Sequence, residues 1–161
     1  MAFETATEQD LVRGIVQGYD SGREALADEL ERLGILSGRR FASLKDEYAG
    51  YLVAKAVGGK KDKPRRVVIE GEHSLTLQVC AASKTPMRRP KYFSLDCAPD
   101  DDSFDALALV IFEADWSVFD SYMIMRATLP RLAVPGKKRQ GHRLPIGGSW
   151  RSDPAILPLE L

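Results

Sequence analysis

The first fifth of the chain repeats apolar residues with the period of an α-helix, and this pattern predicts one long helix over Thr7–Leu33. The apolar positions are Leu11, Ile15, Tyr19, Leu26, Leu30 and Leu33. Thr7 and Asp10 have the spacing of a capping box, and Gly34 is placed to stop the helix. Three glycines interrupt the stretch at Gly14, Gly18 and Gly22. They indicate either close packing of another element, the reading we favour, or a break near Ser21-Gly22.

A second helix is predicted over Ser43–Val57, because apolar residues again recur at helical spacing. Ser43 can cap its start, and Asp46 and Glu47 suit the positive end of the helix dipole. The glycine pair Gly58-Gly59 is expected to end it.

The rest of the chain changes to the pattern of β-strands and turns. Arg66–Glu70 and Leu75–Cys80 are predicted to form a hairpin around a turn at Gly71–Ser74, preceded by a basic connection at Lys60–Pro64. The continuous apolar run Ala106–Phe112 is typical of a strand buried on both faces. Trp116–Met125 is expected to return as its neighbour.

Short helices are predicted over Thr128–Val134 and near Asp153-Pro154. Together these elements predict the α/β class, with a mixed β-sheet flanked by helices. We expect a single compact unit in which residues 1–34 form an N-terminal helical segment and residues 35–161 form the α/β domain.

Composition narrows the class of protein. Of 161 residues, 44% are hydrophobic and 29% are charged, which is a globular balance. The chain has neither a signal-peptide pattern nor an apolar run long enough to span a membrane, so a cytoplasmic location is expected. Two cysteines, Cys80 and Cys97, and two histidines, His73 and His142, lie at spacings that do not suit zinc. We interpret Cys80 as an inert buried thiol rather than a nucleophile.

The net charge is zero, but the charges are segregated along the chain. Residues 55–91 contain ten basic and three acidic residues, which gives 10 − 3 = +7. Residues 96–120 contain eight acidic residues and no Lys or Arg. A basic face suits phosphate, and an acidic face suits a basic partner. The aspartates around Asp101 are interpreted as a solvated loop, because their spacing does not match a calcium site.

Several short stretches occur in an order that resembles one known superfamily. They are Leu33–Arg40, Tyr51–Ala56, Leu77–Val79, Phe104–Val110 with Trp116–Val118, and a tail with His142–Leu144 and Asp153-Pro154. This order resembles small bacterial domains of the restriction-endonuclease-like superfamily, the PD-(D/E)XK nucleases and their relatives, over roughly Glu31–Leu159. The resemblance implies a restriction-endonuclease-like core to which the long N-terminal helix is added.

The resemblance also implies an active site with a helix carboxylate, a strand aspartate, and a Glu or Gln followed two residues later by lysine. Such carboxylates bind Mg²⁺, and the metal and lysine stabilise charge while water attacks phosphate. This chain departs from that layout. Gly50 stands where the helix carboxylate is expected, no carboxylate occurs near Val68, and Cys80 replaces the lysine. Gln78 alone matches its position.

A hydrolytic site would therefore have to be rebuilt from residues that have migrated. The candidates are Glu47, Glu70, Gln78 and Lys84, and only this alternative would require Mg²⁺. Our leading expectation is instead a catalytically degenerate nuclease-fold domain without a cofactor. It would bind DNA, or a protein of a DNA-processing or defence system.

Basic residues flanking the predicted hairpin are the candidates for phosphate contact. They are Lys60, Lys61, Lys63, Arg65, Arg66, Arg88 and Arg89. Tyr92 and Phe93 follow the second basic cluster and could stack a base, although core positions suit them better. A third alternative is a protein-interaction module, of the immunity or regulatory kind, that uses the acidic stretch 96–120. The N-terminal helix is a candidate for homodimer contact.

Overall fold

A helical layer, a six-stranded sheet and a three-stranded sheet are stacked in the computed structural model, which describes residues 7–18, 29–35, 44–84, 91–95, 101–136, 141–146 and 152–161. This arrangement confirms the α/β class and the mixed sheet. Among the described residues, no helix is long and apolar enough to cross a membrane.

The N-terminal helix is shorter than predicted. Helix α1 spans Glu8–Gln17, and Gly18 caps its end. Residues 29–32 are helical again, and the predicted break at Ser21-Gly22 lies outside the described residues. The capping box is confirmed: Asp10 N donates to Thr7 Oγ1, and Thr7 N donates to the Asp10 carboxylate, each at 3.2 Å. Close packing of another element does not explain the glycine at position 14, because no atom lies within 4 Å of where the Cβ of Gly14 would be.

The buried face of α1 also differs from the predicted one. Val12 and Val16 are buried in the same core as Leu30 and the large sheet, whereas Leu11 is exposed. The helical segment therefore packs against its own chain, and homodimer contact through it stays a prediction.

Two glycine-dependent helix ends are confirmed. At Gly34, which has a φ of 74°, the amide donates to Glu31 O, and Ile35 N donates to Leu30 O. This is the bond pattern of a Schellman motif. At Gly58, φ is 66°, and Gly59 N donates to Ala54 O in the same manner. Both positions need a left-handed backbone, which glycine adopts without steric cost.

Helix α2 spans Leu44–Val57 and agrees with the predicted second helix, although its predicted cap, Ser43, lies outside the described residues. Its first ten residues are almost continuously buried, including Asp46 and Glu47. A helix buried on most of its circumference is central to the fold, and burying two carboxylates in it requires compensating partners.

The large sheet has the strand order β1-β2-β3-β5-β6-β9. Its strands are β1 (Lys60–Lys63), β2 (Arg66–Ile69), β3 (Leu75–Ser83), β5 (Ala106–Phe112), β6 (Val118–Met125) and β9 (Ile156–Pro158). Among the described strand pairs of this sheet, only β3–β5 is parallel. The predicted hairpin and the fully buried strand β5 are confirmed.

Three details of this sheet were wrong in the prediction. Lys60–Lys63 is an edge strand rather than a connection, since pairing with β2 satisfies its backbone despite its polar side chains. Strand β6 starts at Val118, because Trp116 has a φ of 68° and belongs to the turn. Residues after Asp153 form strand β9 rather than a helix, because they pair with β6.

The small sheet has the order β4-β8-β7, formed by β4 (Tyr92–Leu95), β7 (Val134–Pro135) and β8 (His142–Pro145). A 3₁₀ turn at Arg126–Thr128 and helix α3 (Leu129–Leu132) precede β7, in agreement with the predicted short helix.

The large sheet separates two apolar cores. One face, with Leu77, Val79 and Ala108, packs against α1 and α2. The other face, with Cys80 and Leu109, packs against the small sheet. Because strand side chains alternate, neighbouring residues of β3 contribute to opposite layers.

Candidate functional site

The strand pair β1–β2 carries five of the seven basic residues predicted to contact phosphate; Arg88 and Arg89 lie outside the described residues. Lys60 and Arg66 form ion pairs at the surface, with Glu70 at 3.4 Å and Asp62 at 3.3 Å respectively. Lys63 is exposed, with no ion-pair partner in the described part of the chain.

Lys61 is directed inward instead. Its side chain is 3% exposed and donates to the carboxylate of Glu47, which is 0% exposed. The second carboxylate oxygen of Glu47, Oε1, has no hydrogen-bond partner among the described residues. Burial lowers the pKa of Lys61, and the hydrogen bond that Lys61 donates to Glu47 opposes part of that shift. This lysine is therefore an internal counter-ion, and it is removed from the predicted phosphate-binding set.

Gly50 explains how the lysine reaches the helix. A Cβ at Gly50 would lie 2.7 Å from Pro64 O and 3.0 Å from Lys61 Cδ. The stem of Lys61 therefore crosses α2 in space that any larger residue at position 50 would need. Gly50 is also the position at which the resemblance to nucleases expects a carboxylate. The stem of Lys61 therefore occupies the space that such a carboxylate side chain would need.

Arg65 forms the second pair with α2. Its Nε and Nη2 donate to the same oxygen of Asp46, at 2.9 and 2.8 Å. Asp46 is buried, whereas the Arg65 side chain is 39% exposed and so also faces outward. Both buried carboxylates of α2 are thus neutralised by cations from the β1–β2 segment.

These residues do not fit a Mg²⁺ site. A metal at Asp46 or Glu47 would have to displace a bonded arginine or a buried ammonium group from the carboxylate that would bind it. Among the residues the structure describes, no three His, Cys, Asp or Glu side chains are grouped so that they could hold a metal ion.

The four residues of the hydrolytic alternative are dispersed. Glu47 belongs to the helical layer. Gln78 is paired in register with Leu107, whose side chain lies on the opposite face of the sheet, and paired residues share a face. Glu70 follows the end of β2, which lies beside Leu75, the first residue of β3.

Lys84 follows the other end of β3, and strand geometry puts the two ends roughly 26 Å apart. There Lys84 pairs with Glu113 at 3.0 Å and lies 4.1 Å from the ring centre of Phe119. The structure does not bring this catalytic set together.

A cavity of about 320 Å³ opens where α2, β3 and β4 meet. It is lined by Lys45, Asp46, Arg65, Cys80, Ala81, Ala82, Ser83, Tyr92, Phe93 and Ser94. The lining combines two cations, one neutralised carboxylate, two serine hydroxyls and an exposed tyrosine. Convergent polar groups in a concave site can fix the orientation of a ligand, although this lining is more polar than that of most small-molecule sites.

The cavity lies along an edge of β3 that no described strand covers. Strand β2 pairs with β3 only as far as Gln78, and Val79 N then donates to Arg65 O. Backbone groups alternate in direction along a strand, so the N–H and C=O of Ala81 and Ser83 face the same side as those of Val79. The open backbone edge therefore supplies hydrogen-bonding groups to the cavity.

The outer face of the small sheet borders the cavity. Tyr92 is 46% exposed, and the Arg143 guanidinium carbon lies 4.7 Å from its ring centre. Phe93, next in β4, is buried in the core. Of the two aromatic residues considered for stacking, only Tyr92 is therefore accessible.

Sequence reasoning missed Lys45, Ser83 and Ser94 as site residues. Each is a single polar residue at an unremarkable place in its element, and they come together only through the packing of α2 and β4 against β3. The sequence shows only that Lys45 precedes the carboxylates Asp46 and Glu47, and their burial is visible only in the structure.

The described carboxylates of the acidic stretch 96–120 do not form one surface. Asp96 and Asp100 lie outside the described residues. Asp105 accepts a 2.7 Å hydrogen bond from Thr76 N at the start of β5. Glu113 and Asp115 lie at the other end of this seven-residue strand, which spans roughly 20 Å. The described carboxylates are thus distributed between two ends of the sheet.

Comparisons with known proteins do not identify a family. No protein-family model matches the sequence. No curated protein matches it at a significant level. The resemblance to restriction-endonuclease-like domains therefore stays a prediction from the sequence.

Proposed function

We propose that the chain is a DNA-binding module built on a degenerate nuclease-like α/β core, acting in DNA processing or defence. The observation that carries this proposal is the internal neutralisation of Asp46 and Glu47 by Arg65 and Lys61, next to a cavity lined by the half-buried Lys45 and the partly exposed Arg65.

The ion pairs favour binding over hydrolysis for a physical reason. Metal-assisted attack on phosphate needs carboxylates that are available to a cation and a charge that stabilises the transition state. Here the α2 carboxylates already have cationic partners, and the residue at the expected lysine position is Cys80, a buried thiol that lines the cavity. Arg65, which is partly exposed, and Lys45 line the cavity and are compatible with holding a phosphodiester.

The surface proposed to meet duplex phosphates consists of Lys60, Lys63 and Arg66 on the outer strands β1 and β2. The Lys60 side chain is 77% exposed, and the Arg66 side chain is 37% exposed. If these three residues each neutralise one phosphate, log K should fall with log salt concentration at a slope of about −2.7. Lysines on an edge strand also discourage strand pairing between molecules. The salt dependence of duplex binding distinguishes phosphate contact from this protective role.

The test is fluorescence anisotropy of a labelled 25-base-pair duplex between about 50 and 200 mM salt. We expect Lys60→Glu with Lys63→Glu to weaken binding strongly. Arg32→Glu with Arg131→Glu changes the net charge equally outside the hairpin and is expected to have a smaller effect. Arg65 is unsuitable for charge reversal, because a glutamate there would face buried Asp46.

Two results would overturn the proposal. Absence of any duplex or single-strand binding at the lowest salt would remove the DNA-binding role and favour a protein-interaction module. Mg²⁺-dependent cleavage that Glu70→Ala abolishes would establish an active nuclease instead.

A further inference from the structure

We infer that the cavity between α2, β3 and β4 holds one unstacked nucleotide of a single-stranded nucleic acid. Its phosphate would lie against Lys45 and Arg65, and its base against Tyr92. The inference rests on the proposed DNA-binding function and specifies the form of nucleic acid that this site accepts.

The cations at the helical side of the cavity suit a phosphate group. Lys45 is half-buried and has no ion-pair partner among the described residues, so its ammonium group is available to an anion. Arg65 is oriented by its two hydrogen bonds to Asp46 while its side chain stays 39% exposed. A guanidinium group held in this way is preorganised for phosphate.

The middle of the cavity offers neutral hydrogen-bonding groups. The hydroxyl groups of Ser83 and Ser94 are exposed, and the backbone of Ala81 faces the open edge of β3. A site with both hydrogen-bond donors and acceptors suits the sugar and the edge of a base, which also carry donors and acceptors.

The outer side offers a stacking surface. Strand alternation directs Tyr92 and Ser94 outward and Phe93 into the core. The cation–π contact with Arg143 holds the tyrosine ring in place on the sheet. Stacking on such a ring is tolerant of sequence, because every base has a π-face.

Size and geometry exclude an intact base pair. The volume of about 320 Å³ is at the lower end of ordinary small-ligand sites, which suits one nucleotide. A base within a duplex is stacked and paired, so it could enter only after flipping out at a cost in free energy. Single strands lack that cost, and we expect the cavity to discriminate in their favour.

The experiment compares Tyr92→Leu and Lys45→Gln with the unmodified protein. The probes are a labelled 15-nucleotide oligo-dT, the corresponding oligo-U and a blunt 25-base-pair duplex. We expect Tyr92→Leu to weaken oligo-dT binding about fivefold or more, as loss of one stacking contact does. Tyr92→Phe, which keeps the ring, is the matched variant and should bind oligo-dT more tightly than Tyr92→Leu. Comparison of oligo-dT with oligo-U distinguishes DNA from RNA as the source of the strand.

The outcomes separate this inference from the proposed function. If both variants bind oligo-dT as the unmodified protein does, the nucleotide site is overturned. Duplex binding that persists in that case leaves the proposed function standing. If the unmodified protein binds none of the probes, both fail. Loss of single-strand binding in both variants, with duplex binding retained, supports the site.

Discussion

Substitution of Lys61 by methionine is the most informative perturbation of the internal ion pair. Methionine approximates the stem of lysine that passes Gly50, so the packing changes little while the charge disappears. Glu47 would then be a fully buried carboxylate without its counter-ion, and one of its oxygens already has no hydrogen-bond partner among the described residues.

The magnitude follows from the burial of both groups. Removal of one partner of a buried ion pair typically costs about 3–5 kcal/mol, because the remaining charge is uncompensated. A typical domain has a total stability of about 5–15 kcal/mol, so Lys61→Met should remove a large share of it. The double variant Glu47→Leu/Lys61→Met removes both charges, and such replacements are often neutral or stabilising by about 1–4 kcal/mol.

The assay is urea unfolding at pH 7 for the two single variants and the double variant. With an m-value of about 2 kcal/mol/M, a loss of about 4 kcal/mol would lower the midpoint by about 2 M. The matched control is Lys60→Met in the same strand, where the side chain is exposed and the change should stay within about 0.5 kcal/mol.

The pH dependence supplies an independent check. In Glu47→Leu, Lys61 keeps the burial that lowers its pKa and loses the partner that opposes this shift. Between the lowered pKa of Lys61 in the folded protein and the ordinary lysine pKa of about 10.4, the unfolded chain binds more protons than the folded protein, so the free energy of unfolding rises with pH. We therefore expect the stability deficit of Glu47→Leu to diminish as pH rises from 7 towards 10.

The reasoning is refuted if Lys61→Met costs less than about 1 kcal/mol, which is the value of an exposed pair. It is also refuted if the effects of the two single substitutions add in the double variant, because additive effects mean that the side chains do not interact.

Three other predictions concern the framework. Gly50→Ala should destabilise the fold in thermal unfolding despite the better helix propensity of alanine, because its Cβ would meet Pro64 O. Gly14→Ala, whose Cβ would meet nothing within 4 Å, should stabilise the fold by up to about 1 kcal/mol. Equal effects of the two substitutions would contradict the close approach at Gly50. Asp105→Ala should cost about 1.5–3 kcal/mol in urea unfolding, because its carboxylate accepts from Thr76 N, and an unchanged midpoint would show that this bond is dispensable. The pKa of Glu8 is lowered by its hydrogen bond from a lysine of α2, so its contribution to stability is present above the ordinary glutamate range, about pH 4, and is lost as pH falls through the lowered value. The protection of α1 amides against hydrogen exchange should then fall more steeply in acid in the unmodified protein than in Glu8→Gln, and parallel profiles would argue against this.

The elements predicted correctly from sequence are those with a strong local signal. Helix α2 has its period of apolar residues and a glycine stop, and β5 has a continuous apolar run. Strands β1, β4 and β8 were missed. Strand β1 pairs with the adjacent β2 but contains only charged residues, and β4 pairs with β8, a segment distant in sequence. The end of α1 at Gln17 was also missed, since periodicity continues past the point where the helix stops.

The candidate site was predictable only in part. The sequence pointed to the basic residues near the hairpin, of which Arg65 lines the cavity, and it predicted Cys80 only as an inert buried thiol, although Cys80 also lines the cavity. It did not indicate that Lys61 and Arg65 would neutralise the buried carboxylates of α2. From sequence alone, a lysine or arginine is expected to be exposed to solvent.

The sequence by itself determined the α/β class, the two helix stops at Gly34 and Gly58, and the absence of a complete nuclease motif. These follow from local periodicity, backbone conformation and residue identity, which are present in any short window of the chain. Only the tertiary structure decided which cations are counter-ions and which remain at the surface. That distinction depends on the burial of Glu47 and Asp46 against a strand pair, which exists only after α2 packs onto the sheet.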